Sequence, residues 1–316
     1  MKTGSKLNLA WSVLAETFAK WNEHKAVRLG AALAYFAIFA IAPVLIIAIA
    51  IAGLVYGREA IEGNIVRTIS GVVGSDTAIF VQGLVKSASQ PREGVIGVVV
   101  GVAGIILGST GLFFQLKDAL NTVWEVAPKA GYRLVDMIRD NILSFVMVLG
   151  LGILMLASLL LTTGMGAVGL LLPGGGPVWR LFDFILSIGL VTLLFGGIFK
   201  FLPDVYITWG DVWPGAILTA LLFTVAQVAL SWIVRLINPG LAFGAAGALV
   251  IILVWVNLAS LILLFGAEFI RVNSFRFGSR AHPKEYAEAL TAEAKAIQGM
   301  PEKEPVVENI EHKLAR

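Results

Sequence analysis

The residues of this 316-residue chain whose spacing could do chemistry are two polar stripes and one carboxylate. Thr224, Gln227, Ser231 and Arg235 recur at intervals of three, four and four, which puts them on one face of a helix. Asn257, Ser260 and Glu268, with Leu264 between, keep the same spacing. Facing each other in an apolar region, two such stripes could line a hydrated path or a binding cavity. They could also only join helices through hydrogen bonds worth about 0.6–2 kcal/mol each. Glu268 is the sharpest case, because LILLFGAEFIRV (261–272) runs through seven apolar or small residues before it and places Arg271 three residues after it. A carboxylate inside hydrocarbon marks function, whereas one at a helix end is an interfacial anchor.

Other chemistries lack their residues. His24, His282 and His312 lie in the chain's flanks, and no two acids or histidines keep a spacing such as HExxH, so no metal site is expected. No GxxxxGK[ST] run cradles phosphates and no GxSxG elbow presents a nucleophilic serine. Cysteine is absent, which removes disulfide and thiolate chemistry. The expectation is a protein without cofactor that is not an enzyme.

The elements that hold these residues follow from composition. With 58% hydrophobic and 14% charged residues, the chain lies outside the range of soluble domains, about 45–50% and 25%. A bilayer core of about 30 Å takes roughly 20 apolar helical residues, and the charge-free windows predict six spans at about 31–55, 94–114, 141–163, 182–202, 212–236 and 245–270. LLPGGGP (171–177) ends the third window, and NPG (238–240) reads as the turn before the sixth span. Alternating strands of about ten residues are missing, which argues against a barrel. The expected fold is an all-α integral membrane protein of six transmembrane helices with amphipathic interfacial helices. Its predicted parts are a cytoplasmic amphipathic segment 1–30, a transmembrane domain 31–272, and a partly disordered tail 273–316.

Lysine and arginine set the orientation. Fourteen lie beside the spans on the side that holds both termini and six on the other, so both termini are expected in the cytoplasm. No early apolar run ends in a small-residue cleavage site, and the first span is expected to act as its own export signal. Before it, Leu7, Trp11, Leu14, Phe18 and Trp21 form an apolar stripe, suited to the headgroup layer or to packing beneath the bundle. Two short amphipathic helices are predicted in the outer loop 57–93. Past the second span, Phe113, Leu116, Leu120, Val123 and Ala127 continue a helix, with Lys117, Asn121 and Glu125 on a face read as solvated. Gly97, Gly101, Gly104 and Gly108 suit close helix packing, and Pro43 is a candidate hinge in the first span. Trp213 and Pro214 are expected to begin the fifth span under an Asp211 cap, since proline is tolerated in the first helical turn and aspartate accepts its free N–H groups.

Length settles the expectation for Glu268. Residues 245–267 number 23, about 34 Å of helix, enough to cross before Glu268 is reached. The sequence therefore places Glu268 at the cytoplasmic edge in an interfacial ion pair with Arg271, which offsets the helix dipole there. The functional alternative turns Glu268 inward, to floor the polar stripe and take a proton or a cationic group.

Four stretches, RLGAALAYFAIFAIAPVL (28–45), KDALNTVW (117–124), FLPDVYITWGDVWPGA (201–216) and FGAAGALVIILVWVNLASLILLFGAEF (243–269), resemble the YihY/virulence factor BrkB family in the right order across residues 28–270. The resemblance implies a bacterial inner-membrane protein with six helices. Members once carried the label ribonuclease BN, regarded as mistaken, and are otherwise described as transporters or serum-resistance factors. The resemblance brings no catalytic residues to carry over. The function expected is a transporter or flippase-like carrier of an amphipathic or lipid-like molecule, with membrane lipids and an unidentified substrate as partners and no nucleic acid. A homo-oligomer is compatible with the sequence. The alternatives are a nonenzymatic envelope-integrity or scaffold protein and, further off, a membrane-anchored ribonuclease.

Overall fold

A computed structural model describes residues 3–40, 111–129, 176–237 and 239–300. Pro43, the outer loop 57–93, the glycine pairs of 97–108, the span at 141–163 and the tail beyond 300 lie outside the described residues. The described chain is built mainly of helices: α1 Thr3–Glu23, α2 Ala26–Ala40, α3 111–124, α4 Gly176–Phe201, α5 Trp209–Ile237, α6 Pro239–Phe277 and the short α7 Ala292–Ile297. Four short strands, β1 Val126–Pro128, β2 Val205–Tyr206, β3 His282–Pro283 and β4 Ala287–Ala289, form two antiparallel pairs. β1 pairs with β4 and β2 with β3, so the segment after α6 folds back and is stitched to the ends of α3 and α4.

Among the described residues, three helices are long and apolar enough to cross a membrane, over Phe184–Phe201, Trp209–Val234 and Leu249–Phe277. Their outward faces are apolar. On α5, Ile217, Leu221, Val225, Val228 and Trp232 all lie exposed along one side, Trp232 at 69%. Such a continuous apolar face suits hydrocarbon, with every backbone group satisfied inside the helix.

Helix ends depart from the sequence reading for local reasons. α6 starts at Pro239 rather than near residue 245, because proline is well placed at the first helical position, so Pro239 and Gly240 open a helix where a turn was expected. Its 39 residues reach about 58 Å, well beyond one bilayer core. α4 starts at Gly176, ahead of the expected 182. α5 starts at Trp209, ahead of the expected 212, and the cap is Thr208 instead of Asp211. The Thr208 carbonyl accepts the N–H groups of Asp211 and Val212 at 3.1 and 3.2 Å, and its hydroxyl donates to Asp211 Oδ2 at 3.0 Å. Asp211 sits in the first turn and Pro214 falls inside the helix.

α5 packs between α4 and α6, and α1 packs on α6. The α5–α6 crossing is close because both helices present glycine there. A Cβ on Gly266 would overlap Thr219 Oγ1, and one on Gly215 would overlap Ile270. Phe223 and Trp255 extend the same contact, with ring centroids 5.1 Å apart. The opposite face of α6 turns to α1 and α2: Leu261 and Asn257 approach Gly30, and Trp21 Nε1 donates to the Leu261 carbonyl at 3.2 Å. The two polar stripes therefore do not meet, since the Asn257–Glu268 face points away from α5.

α1 uses two faces at once. Val13 and Thr17 are buried, while Trp11 (74% exposed) and Phe18 point outward, where they can enter the headgroup layer. α3 is buried on both faces: Leu120 and Val123 pack in the core, and Lys117 and Asn121, read as solvated, are buried as well. Their polar groups are taken up by Asp204, as described below.

Replacing Gly266 by Val should overpack the α5–α6 crossing and cost about 1–3 kcal/mol. Gly189→Ala, where an added Cβ meets nothing within 4 Å, should be neutral or slightly stabilising. Thermal unfolding in detergent checks the pair, and equal midpoints for both variants would contradict this packing.

Candidate functional site

The ends of α1, α3 and α6 meet around a buried histidine and carboxylate. α1 stops at Glu23, and the chain turns through His24 and Lys25, with Lys25 at φ 52° before α2 begins. The His24 N–H bonds the Lys20 carbonyl at 2.9 Å, which holds the imidazole beneath α6. His24 Nδ1 pairs with Glu268 Oε1, and neither side chain has exposed surface. On the other side of the ring, His24 Nε2 lies 3.3 Å from Glu125 Oε1 and 3.4 Å from Arg271 Nη1. Glu125 also binds Arg271 Nη2 through Oε1 and Lys295 through Oε2. It closes α3 in the left-handed region, at φ 53°, a conformation that costs a non-glycine residue about 1–2 kcal/mol. The second Glu268 oxygen, Oε2, is buried with no hydrogen-bond partner among the described residues.

Glu268 and Arg271 are therefore not the interfacial pair expected from their spacing. Glu268 is sealed under α1 and held by His24, while the longer Arg271 side chain reaches across to α3 and binds Glu125. Burial alone would lower the His24 pKa, but hydrogen bonds to Glu125 and Glu268 and the Glu268 charge outweigh it, and the imidazole is raised above its ordinary value of 6.5. Burial would likewise raise Glu125, but His24, Arg271 and Lys295 overcome it and hold that carboxyl well below the usual range.

Two further acids organise the same end of the bundle. Asp204, in the loop after α4, binds Lys117 Nζ at 2.7 Å, Asn121 Nδ2 at 2.9 Å and Tyr286 Oη at 2.8 Å, and its own N–H donates to Asn121 Oδ1 at 2.9 Å. Asp211 Oδ2 accepts from the hydroxyls of Thr208, Ser274 and Ser279 and from the Ser279 N–H, joining the start of α5 to the end of α6. A Cβ on Gly278 would overlap Asp211, so this approach requires glycine.

The other expected site residues are placed as follows. Thr224 and Ser260 donate back to the carbonyls of Ala220 and Val256 on their own helices, both at 2.8 Å. Gln227, Ser231 and Asn257 are half-buried. Arg235 follows on α5, and its side chain lies outside the described set, as does Pro43. Glu23, His24 and Glu125 bring donor atoms within 4.8 Å of one another. Lys20 neutralises Glu23, and Arg271 and Lys295 neutralise Glu125, so this donor set does not fit a metal ion. His24, Glu125, Asp204 and Asn121 were not legible as site residues, because their partners are more than eighty positions away in the chain.

Because His24 has a raised pKa in the fold, its contribution to stability is complete below the unfolded value near 6.5 and is lost as pH rises through the folded value. Wild type should therefore exceed His24→Gln in thermal midpoint most at mildly acid pH, with the gap narrowing at alkaline pH. A gap that widens with pH would mean the imidazole is held neutral.

Comparisons with known proteins agree with this architecture in outline. The sequence profile of the family Virulence factor BrkB matches residues 17–289. The chain is 26% identical over 271 residues to a UPF0761 membrane protein of Pseudomonas aeruginosa strain LESB58, covering 80% of this chain and 62% of the relative. It is 28% identical over 284 residues to one from Verminephrobacter eiseniae, covering 84% and 63%. A third, from Tolumonas auensis, is 26% identical over 186 residues, 58% of each chain. The chain thus spans about three-fifths of the length of these relatives. No solved structure matches it. With the profile covering most of its length and apolar helices to match, this chain belongs to the Virulence factor BrkB family of membrane proteins.

Proposed function

We propose that the protein is a bacterial inner-membrane carrier, without enzymatic activity, that moves an amphipathic or lipid-like molecule across the bilayer. The observation that supports this best is Glu268, an ionisable side chain with no exposed surface that follows the long charge-free stretch of α6 and has one buried oxygen unpartnered among the described residues. Groups of this kind in membrane helices mark ion and substrate pathways. The exposed aromatics of α1 and the apolar face of α5 would place lipid directly against the bundle. Lys200 lies 5.9 Å over the Trp209 ring, and Trp209 and Trp213 neighbour each other, as in an interfacial aromatic belt.

In this reading the end that carries His24, Glu125, Asp204 and Asp211 faces the cytoplasm. The segments given to that side by lysine and arginine, those before residue 28, at 117–129, at 200–211 and after 271, are the ones that meet in the Asp204, Asp211 and Glu125 contacts. Six spans, both termini inside, would complete the topology.

The scaffold reading has one observation in its favour: the hydroxyls of Thr192, Thr219, Thr224 and Ser260 all donate within their own helices, so these four donors are not offered to a substrate between the helices.

Two experiments test these proposals. Reporter fusions at residue 75 should read external and at residue 130 cytoplasmic, and the reverse would end the orientation. In liposomes holding the purified full chain and a fluorescent phospholipid, Glu268→Gln should insert and fold but slow translocation by about tenfold or more, in the range set by loss of a positioned ionisable group. Wild-type rates from Glu268→Gln would leave Glu268 as an anchor.

A further inference from the structure

We infer that Glu125, His24 and Glu268 form a proton relay, carrying a proton from the aqueous edge of the bundle to a carboxylate inside α6. The use of the proton rests on the carrier reading above; its binding does not. The chain of contacts is continuous. Glu125 keeps 16% of its side chain exposed and lies 3.3 Å from His24 Nε2, and His24 Nδ1 pairs with Glu268. The imidazole is the only link between the two acids that the described contacts provide, and its two nitrogens face opposite partners.

Both charge states of the ring have partners already in place. Neutral, with the proton on Nδ1, the imidazole donates to Glu268, and Nε2 can accept from Arg271 Nη1 at 3.4 Å. Protonated, its Nε2–H donates to Glu125 at 3.3 Å. The transfer balances: a proton from water passes by way of the Glu125 carboxylate to Nε2, the proton on Nδ1 passes to Glu268 Oε1, Glu125 is left ionised, and His24 is left neutral as the other tautomer. The product is a neutral carboxylic acid, and the cluster has gained one positive charge. Protonation also relieves the cost of a carboxylate whose Oε2 has no donor among the described residues.

The charged groups around the relay come from every element packed on it. Lys20 and Glu23 stand on α1, bonded to each other at 2.6 Å, and Lys20 lies near enough to act on the Glu268 charge. α3 contributes Glu125, α6 Arg271 and α7 Lys295. Lys25 and Arg28 turn instead to the end of α7, at Gly299 and the Gln298 carbonyl. Arg271 and Lys295 hold Glu125 ionised, which leaves it a receiver of the imidazolium hydrogen bond rather than a store for the proton. The store is Glu268, on the helix face that continues to Leu264, Leu261 and Asn257.

Infrared difference spectra of the full chain in liposomes, taken across a pH titration, test the relay. The expected result is a protonated-carboxyl C=O band that grows as pH falls, shifts in heavy water, and is lost in Glu268→Gln. After a rapid pH drop the band should rise about 100-fold more slowly in His24→Gln, as expected on removing a positioned proton carrier. It should also rise more slowly in Glu125→Gln, which keeps the backbone and size and decides the matter if His24→Gln does not fold. A band unchanged in Glu268→Gln, or a wild-type rise in Glu125→Gln and in any folded His24 variant, would overturn the relay. Lipid translocation by the same liposomes is scored separately. A titrating Glu268 band without translocation leaves the relay and removes the carrier, and translocation without the band does the reverse.

Discussion

A carboxylate placed inside an apolar helix must be neutralised or paired, and burying Glu268 is the constraint around which this end of the bundle is arranged. Leaving a buried charge alone costs about 3–5 kcal/mol relative to the intact pair, comparable with much of a domain's net stability. His24 meets that requirement only if α1 ends where it does and the chain turns sharply at Lys25. That turn brings α1 back along α6. The contact repeats down the helix, with Arg276 bonding Ser12 and Glu16 near one end and Trp21 bonding the Leu261 carbonyl near the other. A helix that could have lain free on the membrane surface is thereby docked, while its Trp11 and Phe18 stay outward.

The remaining buried charges follow the same logic with different partners. Asp204 has partners on both oxygens, from Lys117, Asn121 and Tyr286, and Asp211 Oδ2 accepts from three hydroxyls and a backbone N–H. Each acid draws in a segment distant in sequence: α3 and the β3–β4 turn for Asp204, the end of α6 for Asp211. The result is a polar collar that fixes the ends of α3, α4, α5 and α6 relative to one another. Above it the helices need only small residues and dispersion to pack, as at Gly215, Gly266 and Gly30. Glu268 differs from the other two acids in keeping one buried oxygen without a hydrogen-bond partner among the described residues, which is why it is assigned the exchangeable proton and they are assigned structure.

Hydropathy made the membrane class and the three described apolar helices legible, because the cost of exposing backbone or charge to hydrocarbon imposes a pattern on any sequence that crosses it. Helix ends were less legible. NPG carries the signature of a turn, yet Pro239 starts α6, since the same fixed φ serves both uses. The site was the least legible part. Glu268 stood out by its apolar surroundings, but its partner His24 sits 244 positions away in a polar stretch, WNEHKA, that has no spacing to mark it. Arg271, three residues on, looked like the partner because local spacing was the only geometry available. Lys117 and Asn121 looked solvated because no sequence rule announces that Asp204 will cover them. The motifs KDALNTVW and FLPDVY, read first as a resemblance, supply those three residues.

A double-mutant cycle between His24 and Glu268 measures the contact on which all of this depends. Reversible unfolding in mixed micelles would be followed for wild type, His24→Gln, Glu268→Gln and the double variant. Coupling of about 1–3 kcal/mol, in the range found for residues in one buried network, is the predicted result, with the double variant less damaged than the sum of the singles. Additivity to within about 0.5 kcal/mol would show that the two side chains do not depend on each other, and would contradict the account.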